Sequence, residues 1–476
     1  MTTDPGGLSR AADPRPAATR PEGPGTGLLT DHYELTMLRA ALRDGSAQRR
    51  AVFEVFARHL PGGRRYGVVA GTGRLLDAIE RFRFDRAELG FLRESGIIDE
   101  ATGEFLAGYR FSGDIWGYGE GDCYFPGSPL LVVDGTFAEA VILETLILSV
   151  LNHDCAIAAA ASRMVTAAGG RPLIEMGSRR THEMAAVASA RAAHLAGFES
   201  TSNLRAGYEF AVPTGGTSSH AFTLLHAGER AAFAAQLDAL GPSTTLLVDA
   251  YDVAAAVRTA VQVAGPGLGA VRIDSGDLAV IAREVRALLD SLGATGTRIV
   301  LTGDLDEYSI AALAAAPVDG YGVGTSLVTG SGTPTAALVY KLVARADQAG
   351  PGQPLRAVAK RSVGKPGRGG RKWAARRLDD SGTAVDELVS TAELPPDSRY
   401  RLLLRELVRG GKVAGVRSRW PRRGTGIAPR WPSCRRTPVS CPADTRPSRP
   451  SWSPTGQVVM NRASLGPCTL SPCERC

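Results

Sequence analysis

Thr245-Leu-Leu-Val-Asp-Ala-Tyr-Asp252 and, one alanine-rich stretch later, Ala270-Val-Arg-Ile-Asp-Ser-Gly-Asp277 decide the fold. Each is a short apolar run followed at once by a polar cluster that opens and closes on Asp. A strand, a helix and a second strand in that order make a βα unit with parallel strands. The rhythm repeats. Further strands are expected at Pro172–Met176, Glu209–Val212, Arg298–Leu301 and Gly320–Val323. Their trailing clusters are Ser178-Arg179-Arg180, Thr214-Gly-Gly-Thr217, Thr302-Gly303-Asp304 and Gly324-Thr325. In a closed α/β barrel such clusters meet on the rim at the carboxyl ends of the strands, where active sites form. An open doubly wound sheet would also group them, but at a single switch point. The regular recurrence of a polar cluster after every strand favours the barrel.

On the N-terminal side the pattern is mixed. Thr30-Asp31 can cap a helix through Met37 and Leu42. Ala51 to Ala57 reads as a strand, and Gly71-Thr-Gly opens a helix from Arg74 to Phe82. Tyr118 to Val133 predicts two short strands about a Pro126-Gly127 turn. Thr136 to Asn152 predicts a strongly apolar helix, buried on most faces. Its apolar part, Phe137 to Leu151, carries Glu139 and Glu144 and reads as too short and too charged to span a bilayer. The expected organisation is a disordered leader over 1–25, an N-terminal α/β domain over 26–150 and a barrel over 151–345. A segment over 346–416 returns to the N-terminal domain, and an aberrant tail covers 417–476.

Charge supports this division. The net charge is +7. Residues 417–476 carry eleven Arg against Asp444 and Glu474, so they contribute +9 and the remainder is 7 − 9 = −2. A basic surface for nucleic acid would have to lie on the folded part, so no nucleic-acid partner is expected. Five of the seven cysteines also lie in the tail, leaving Cys123 and Cys155. Both are expected to be small buried residues, in a cytoplasmic, reducing setting. No membrane partner is expected, because the first residues lack an apolar signal core. The tail has ten prolines, three tryptophans and no lysine. Its composition reads as an out-of-frame translation of a GC-rich gene; a genuine disordered tail is the alternative.

The sharpest segment for chemistry is Val212-Pro-Thr-Gly-Gly-Thr-Ser-Ser-His220. Gly215 and Gly216 let backbone N–H groups approach an anion. Thr217, Ser218 and Ser219 add donors. His220 then stands beside a phosphate-like site as a nucleophile or proton carrier; a packed histidine in a turn is the other reading. Asp274 and Asp277 flank Ser275-Gly276, and two carboxylates at a strand end can hold Mg²⁺ or ribose hydroxyls. As a bare pattern this is more often a turn. His153 and His226 are read as structural.

Taken together these segments resemble the nicotinate phosphoribosyltransferases. The resemblance runs in order through Asp31-His-Tyr33-Glu-Leu-Thr-Met, Glu175-Met-Gly-Ser-Arg179-Arg180, Gly216-Thr-Ser-Ser-His220-Ala-Phe, Val271-Arg-Ile-Asp274-Ser-Gly-Asp277 and Gly322-Val-Gly324-Thr325. Leu151-Asn-His-Asp and Gly370-Arg-Lys-Trp-Ala-Ala-Arg-Arg377 fit as well, so it covers about Leu28 to Gly415. It implies an irregular α/β barrel of the type II phosphoribosyltransferase kind, plus an α/β sandwich domain built from N- and C-terminal segments, in a homodimer. It also implies ATP-dependent transfer of phosphoribosyl from phosphoribosyl pyrophosphate to nicotinate, with ATP as co-substrate and Mg²⁺ as cofactor. By resemblance, His220 accepts a phosphoryl group and Asp274 and Asp277 are catalytic and metal-binding. Tyr33 stacks on the ring, possibly across the subunit interface, and Arg179 or Arg180 pairs with its carboxylate. Thr217, Ser275, Gly276, Gly303, Gly322, Gly324 and Thr325 line the substrates. The alternatives are a nicotinamide phosphoribosyltransferase, or an impaired relative that only binds nucleotide or a partner protein. One departure stands out: the family continues past Arg417 with a helix and a closing segment, where this chain has its unusual tail.

Overall fold

A computed structural model describes residues 25–360, 367–379, 384–394, 400–414 and the backbone of the strand Gln457–Val459. The expected leader, and the rest of the expected tail, lie outside the described residues.

The barrel strands form one six-stranded sheet. Its order is Ser200–Thr201, Leu173–Glu175, Gly320–Val323, Arg298–Leu301, Ala270–Ile273, Thr245–Leu247. All neighbours are parallel. The strands follow one another in chain order around a ring and leave one seam, between Ser200–Thr201 and Thr245–Leu247. A parallel bridge from Thr201 to Thr214 partly fills it. The molecule is therefore an α/β barrel left open on one side. Val271, Ile273, Ile299, Leu301, Tyr321 and Val323 pack against the surrounding helices in one cluster.

One expected strand is corrected. Leu204–Phe210 is a helix, capped by the Asn203 side chain accepting from the Ala206 N–H. Arg205 and Glu209 pair along it at i,i+4, 2.6 Å apart. Tyr208, Phe210 and Val212 mimic strand alternation, but the chain turns at Ala211, with φ 53°. The true strand is Ser200–Thr201, two polar residues that no hydrophobic pattern would reveal.

The second domain draws on both ends of the chain, as expected. Its antiparallel sheet runs Leu355–Ala357, Leu338–Ala349, Arg49–Ala57, Leu131–Thr136, Asp114–Gly117, Arg405–Arg409, Lys412–Val413. Phe53 and Val55 face the helices His32–Asp44 and Thr72–Glu80 in one large core. Val52 packs on the opposite face with Val132 and Val343. A smaller sheet holds Tyr400–Leu402, Trp373–Leu378, Ala384–Ser390 and Gln457–Val459. Gln457–Val459 pairs antiparallel with Ala384–Ser390, so a short stretch within the expected aberrant tail forms a strand.

The expected helix Thr136 to Asn152 is two helices, Phe137–Val141 and Glu144–Ala168. The longer, at 25 residues, extends well past Asn152; at about 1.5 Å per residue it is about 37 Å long. By length and composition alone the stretch Phe137–Ala168 would suffice to cross a membrane, but 67% of its most apolar window is buried inside the molecule. Here it is the spine of the molecule. Ile147, Val150 and Leu151 enter the core of the N-terminal domain, and Ile157, Ala161 and Met164 enter the barrel cluster. Alanines from Ala158 to Ala161 let the barrel elements approach it closely. Its one fully buried carboxylate, Asp154, is paired with Arg74 at 3.0 Å and His153 at 2.9 Å.

The late Arg/Lys-rich motif fastens the C-terminal segment to this domain. Lys372 Nζ lies 2.7 Å from Glu54, both nearly fully buried. Arg371 lies between Trp116 and Trp373, with its guanidinium 4.0 and 4.8 Å from their ring centres. Arg376 pairs with Glu387 at 2.7 Å, and Glu387 also accepts from Tyr118 at 2.8 Å.

Candidate active site

The carboxyl ends of the parallel strands place one connected set of polar side chains at the barrel rim. His220 begins the helix His220–Leu225, just after the Thr214 bridge on one side of the seam. Its Nε2 lies 3.0 Å from Asp249 Oδ1, beyond the strand Thr245–Leu247 on the other side. The imidazole is 41% exposed and the Asp249 side chain only 2%. Asp249 Oδ2 accepts from the Asp274 N–H and from Ser275 Oγ, each at 2.8 Å. A carboxylate only accepts. Asp249 therefore draws the proton onto His220 Nε2 and leaves a lone pair on Nδ1, which makes no hydrogen bond among the described residues.

Arg272 ties the same loops from within the strand Ala270–Ile273. Its Nε donates to Thr302 Oγ1 at 2.9 Å, and one terminal nitrogen donates to Thr217 Oγ1 at 2.9 Å. The other lies 3.4 Å from Asp274 Oδ1. Thr302 Oγ1 donates to the same carboxylate oxygen. The barrel seam, which lacks backbone pairing at this end, is thus bridged by His220–Asp249 and Arg272–Thr217.

On the far side of the rim, Glu175 is fully buried and accepts from Thr201 Oγ1 and the Gly177 N–H. Burial pushes its carboxyl above the usual range, against the lowering effect of those two bonds. Asn203 holds the next loop by donating to Ser178 Oγ at 3.0 Å. Arg179 and Arg180 follow, both exposed, with no ion pair among the described residues. Gly322 is required by close approach: a Cβ there would lie 2.5 Å from Thr302 Cγ2 and 2.7 Å from Met176 Sδ. Gly303 has φ 105°, and its Cβ would lie 2.3 Å from the Asp274 carbonyl oxygen.

Residues 28–152 match the profile of the nicotinate phosphoribosyltransferase (NAPRTase) N-terminal domain. The chain is 61% identical over 414 residues to the nicotinate phosphoribosyltransferase pncB1 of Mycobacterium tuberculosis, covering 84% of this chain and 90% of that protein. The chain belongs to the nicotinate phosphoribosyltransferase family. The crystal structure of human nicotinic acid phosphoribosyltransferase superimposes with a TM-score of 0.69 at 26% identity, over 81% of this chain and 90% of that one. A nicotinate-nucleotide pyrophosphorylase from Pyrococcus furiosus shares the fold, with a TM-score of 0.67 at 23% identity over 84% and 94% of the two chains.

Not all of the expected site residues meet in this network. His220, Thr217, Asp274 and Ser275 are joined by the hydrogen bonds above. Gly303 packs against Asp274 and Gly322 against Thr302, while Gly276, Gly324, Thr325, Arg179 and Arg180 occupy other strand-end loop positions. Tyr33 is apart. It sits half-exposed on the helix His32–Asp44, and burial, then Glu144, Glu34 and Asp31, hold its hydroxyl above the ordinary range. Asp277 is exposed and caps the helix Leu278–Ser291, accepting from the Val280 N–H at 3.2 Å.

Three residues were not singled out from the sequence: Asp249, Arg272 and Thr302. Asp249 had a signal, since it follows its strand as Asp274 follows the neighbouring one. Arg272 had another. It is the lone charge in an apolar strand, on the opposite face from buried Val271 and Ile273. His153 and His226 are structural as expected: His226 Nδ1 bonds the Phe222 carbonyl at 2.8 Å. Cys123 and Cys155 are both buried, as expected.

Among the described residues no three metal-ligating side chains cluster. Mg²⁺, however, commonly binds through one or two carboxylates together with substrate phosphates. Asp274 and Asp277 lie three residues apart in one strand-end loop, two carboxylates beyond the strand Ala270–Ile273.

Proposed function

We propose that this chain transfers phosphoribosyl from phosphoribosyl pyrophosphate to nicotinate, forming nicotinate mononucleotide for NAD synthesis, with ATP consumed through a phosphorylated His220. The observation that carries the ATP-linked part is the half-exposed imidazole held by a buried carboxylate. That geometry leaves Nδ1 as the nucleophile. Nδ1 attacks the γ-phosphorus of ATP, an N–P bond forms, and the bond to ADP breaks. Water later cleaves the N–P bond and returns phosphate and free imidazole.

In the transfer itself the pyridine nitrogen of nicotinate bonds to the ribose anomeric carbon as the bond to pyrophosphate breaks. The ribose passes through a cationic state, and the carboxylate of Asp274 stabilises it. Asp274 and Asp277 would hold Mg²⁺, whose charge supplies stabilisation to the departing pyrophosphate. Arg179 or Arg180 pairs with the ring carboxylate, since a planar guanidinium matches it bidentately. The Gly322–Thr325 loop cradles the 5′-phosphate, with Thr217, Ser275, Gly276 and Gly303 lining the remainder. Tyr33 stacks on the ring from the second subunit of a homodimer, which agrees with its place away from the rim of its own chain. The setting is the cytoplasm.

Because Asp249 binds His220 and also the Asp274 N–H and Ser275 Oγ, phosphorylation at residue 220 is felt directly by the loop that holds the ribose. The test is mononucleotide formation from nicotinate, phosphoribosyl pyrophosphate and Mg²⁺, with and without ATP. Product is expected in both cases, and more with ATP. In His220→Ala the ATP stimulation should fall far more than the basal transfer. Equal losses would reduce His220 to a structural residue, and no product from folded protein would overturn the reading as a whole.

A further inference from the structure

The segment that follows the phosphate loop is held in an unusual conformation by a residue of the other domain. Gly330, Ser331 and Gly332 have φ of 61°, 52° and 75°, three left-handed residues in succession. Glycine adopts this freely, but Ser331 is strained by it. Ser331 Oγ donates to Glu307 Oε2 at 2.6 Å. Glu307 is anchored by Arg163, whose Nε lies 3.0 Å away. From the N-terminal domain, Arg64 reaches the Gly330 carbonyl at 2.5 Å and the Thr333 carbonyl at 3.3 Å.

Arg64 is 9% exposed, and its Nε is buried with no partner among the described residues. Burial, and then the charge of Arg163, pull its pKa down. A buried guanidinium with an unused donor is costly. Its two bonds to the turn are the compensation visible here. The turn acts on the phosphate loop through short connections. The Ser331 N–H bonds the Ser326 carbonyl at 2.6 Å, and the Thr329 N–H bonds the Thr325 carbonyl at 3.1 Å.

We propose that Arg64 is a positioning residue for the phosphate end of phosphoribosyl pyrophosphate: it clamps the left-handed Gly330–Thr333 turn and thereby fixes the Gly322–Thr325 loop. This rests on the phosphate role given above to Gly322–Thr325. It also assigns the N-terminal domain a part in substrate binding within the same chain.

The test is steady-state kinetics of the full chain with both substrates varied. Arg64→Met should raise KM for phosphoribosyl pyrophosphate tenfold or more. KM for nicotinate should stay within twofold and kcat within threefold, and Arg64→Lys should recover part of the loss. A general loosening would move both KM values together, and that result, or an unchanged phosphoribosyl pyrophosphate KM, overturns the proposal. Should Arg64→Met fail to fold, Ser331→Gly serves instead. It relieves the left-handed strain while removing the bond to Glu307, so Tm should hold while the phosphoribosyl pyrophosphate KM rises several-fold; no rise overturns the proposal. A wild-type chain that forms no mononucleotide would instead refute the function itself.

Discussion

Asp249→Asn separates the tautomer of His220 from every other property of the site. Asp249 Oδ2 receives the Asp274 N–H and Ser275 Oγ at 2.8 Å. The backbone N–H can only donate, so the amide oxygen of an asparagine must take that position. The amide NH₂ then replaces Oδ1, opposite His220 Nε2 at 3.0 Å. An NH₂ group only donates, which forces Nε2 to accept and moves the ring proton to Nδ1. The lone pair that the proposed attack on ATP would use is gone, with almost no change in side-chain volume. Bonds to a charged acceptor are roughly twice as strong as neutral ones. Two retained contacts and one inverted contact therefore give an expected stability loss of about 1–3 kcal/mol. Phosphoryl transfer should fall on the order of 10⁴-fold, the scale seen when a carboxylate-to-amide change locks a catalytic imidazole in its wrong tautomer. The assay is incorporation of γ-³²P from ATP into the protein by rapid quench, beside mononucleotide formation without ATP. Phosphorylation should collapse while basal transfer falls far less. Wild-type phosphorylation in Asp249→Asn, or a parallel loss of both activities, would refute the reasoning.

Three other outcomes are expected. Gly303→Ala places a Cβ against the Asp274 carbonyl at a residue with φ 105°; it should cost about 2–4 kcal/mol in urea unfolding, with kcat reduced, and a neutral effect would show that the loop yields freely. Lys372→Met strands the buried Glu54 carboxylate and should cost about 3–5 kcal/mol, whereas Lys372→Met combined with Glu54→Leu should cost clearly less; equal losses would remove the stranded charge as the cause. Asp99, held down to about 2 by bonds from Thr102 and then by Arg39, has its folded pKa below the ordinary value. Its stabilisation is therefore present above about pH 4 and lost as the pH falls toward 2, so Asp99→Asn should lower Tm at pH 7 by a gap that closes on acidification, and a gap independent of pH would contradict this.

The barrel was legible because its strands are short apolar runs, each followed at once by polar residues, and burial fixes that pattern. Three of the expected strands, Ala270–Ile273, Arg298–Leu301 and Gly320–Val323, have the observed bounds. The pattern failed where burial does not set the sequence. Ser200–Thr201 is a strand because Leu173–Glu175 and the Thr214 bridge offer it partners, and its own side chains say nothing of it. The helix Glu144–Ala168 was cut short for the opposite reason: beyond Asn152 an alanine-rich helix packed on all sides has little amphipathic contrast to read. The site was legible in parts, but its wiring was not. His220 stood out as a histidine after a glycine turn, and Asp274 as an acid at a strand end. That Asp249 should join them depends on two strand ends meeting across the seam, and only the curling of the six-stranded sheet creates that proximity. The same seam explains why the polar network sits where it does. Elsewhere around the barrel, backbone hydrogen bonds hold neighbouring strands together. Here the side-chain pairs His220–Asp249 and Arg272–Thr217 join the two edges, so the phosphorylation we propose at residue 220 would act on a side-chain contact across the seam and on no bond of the strand ladder.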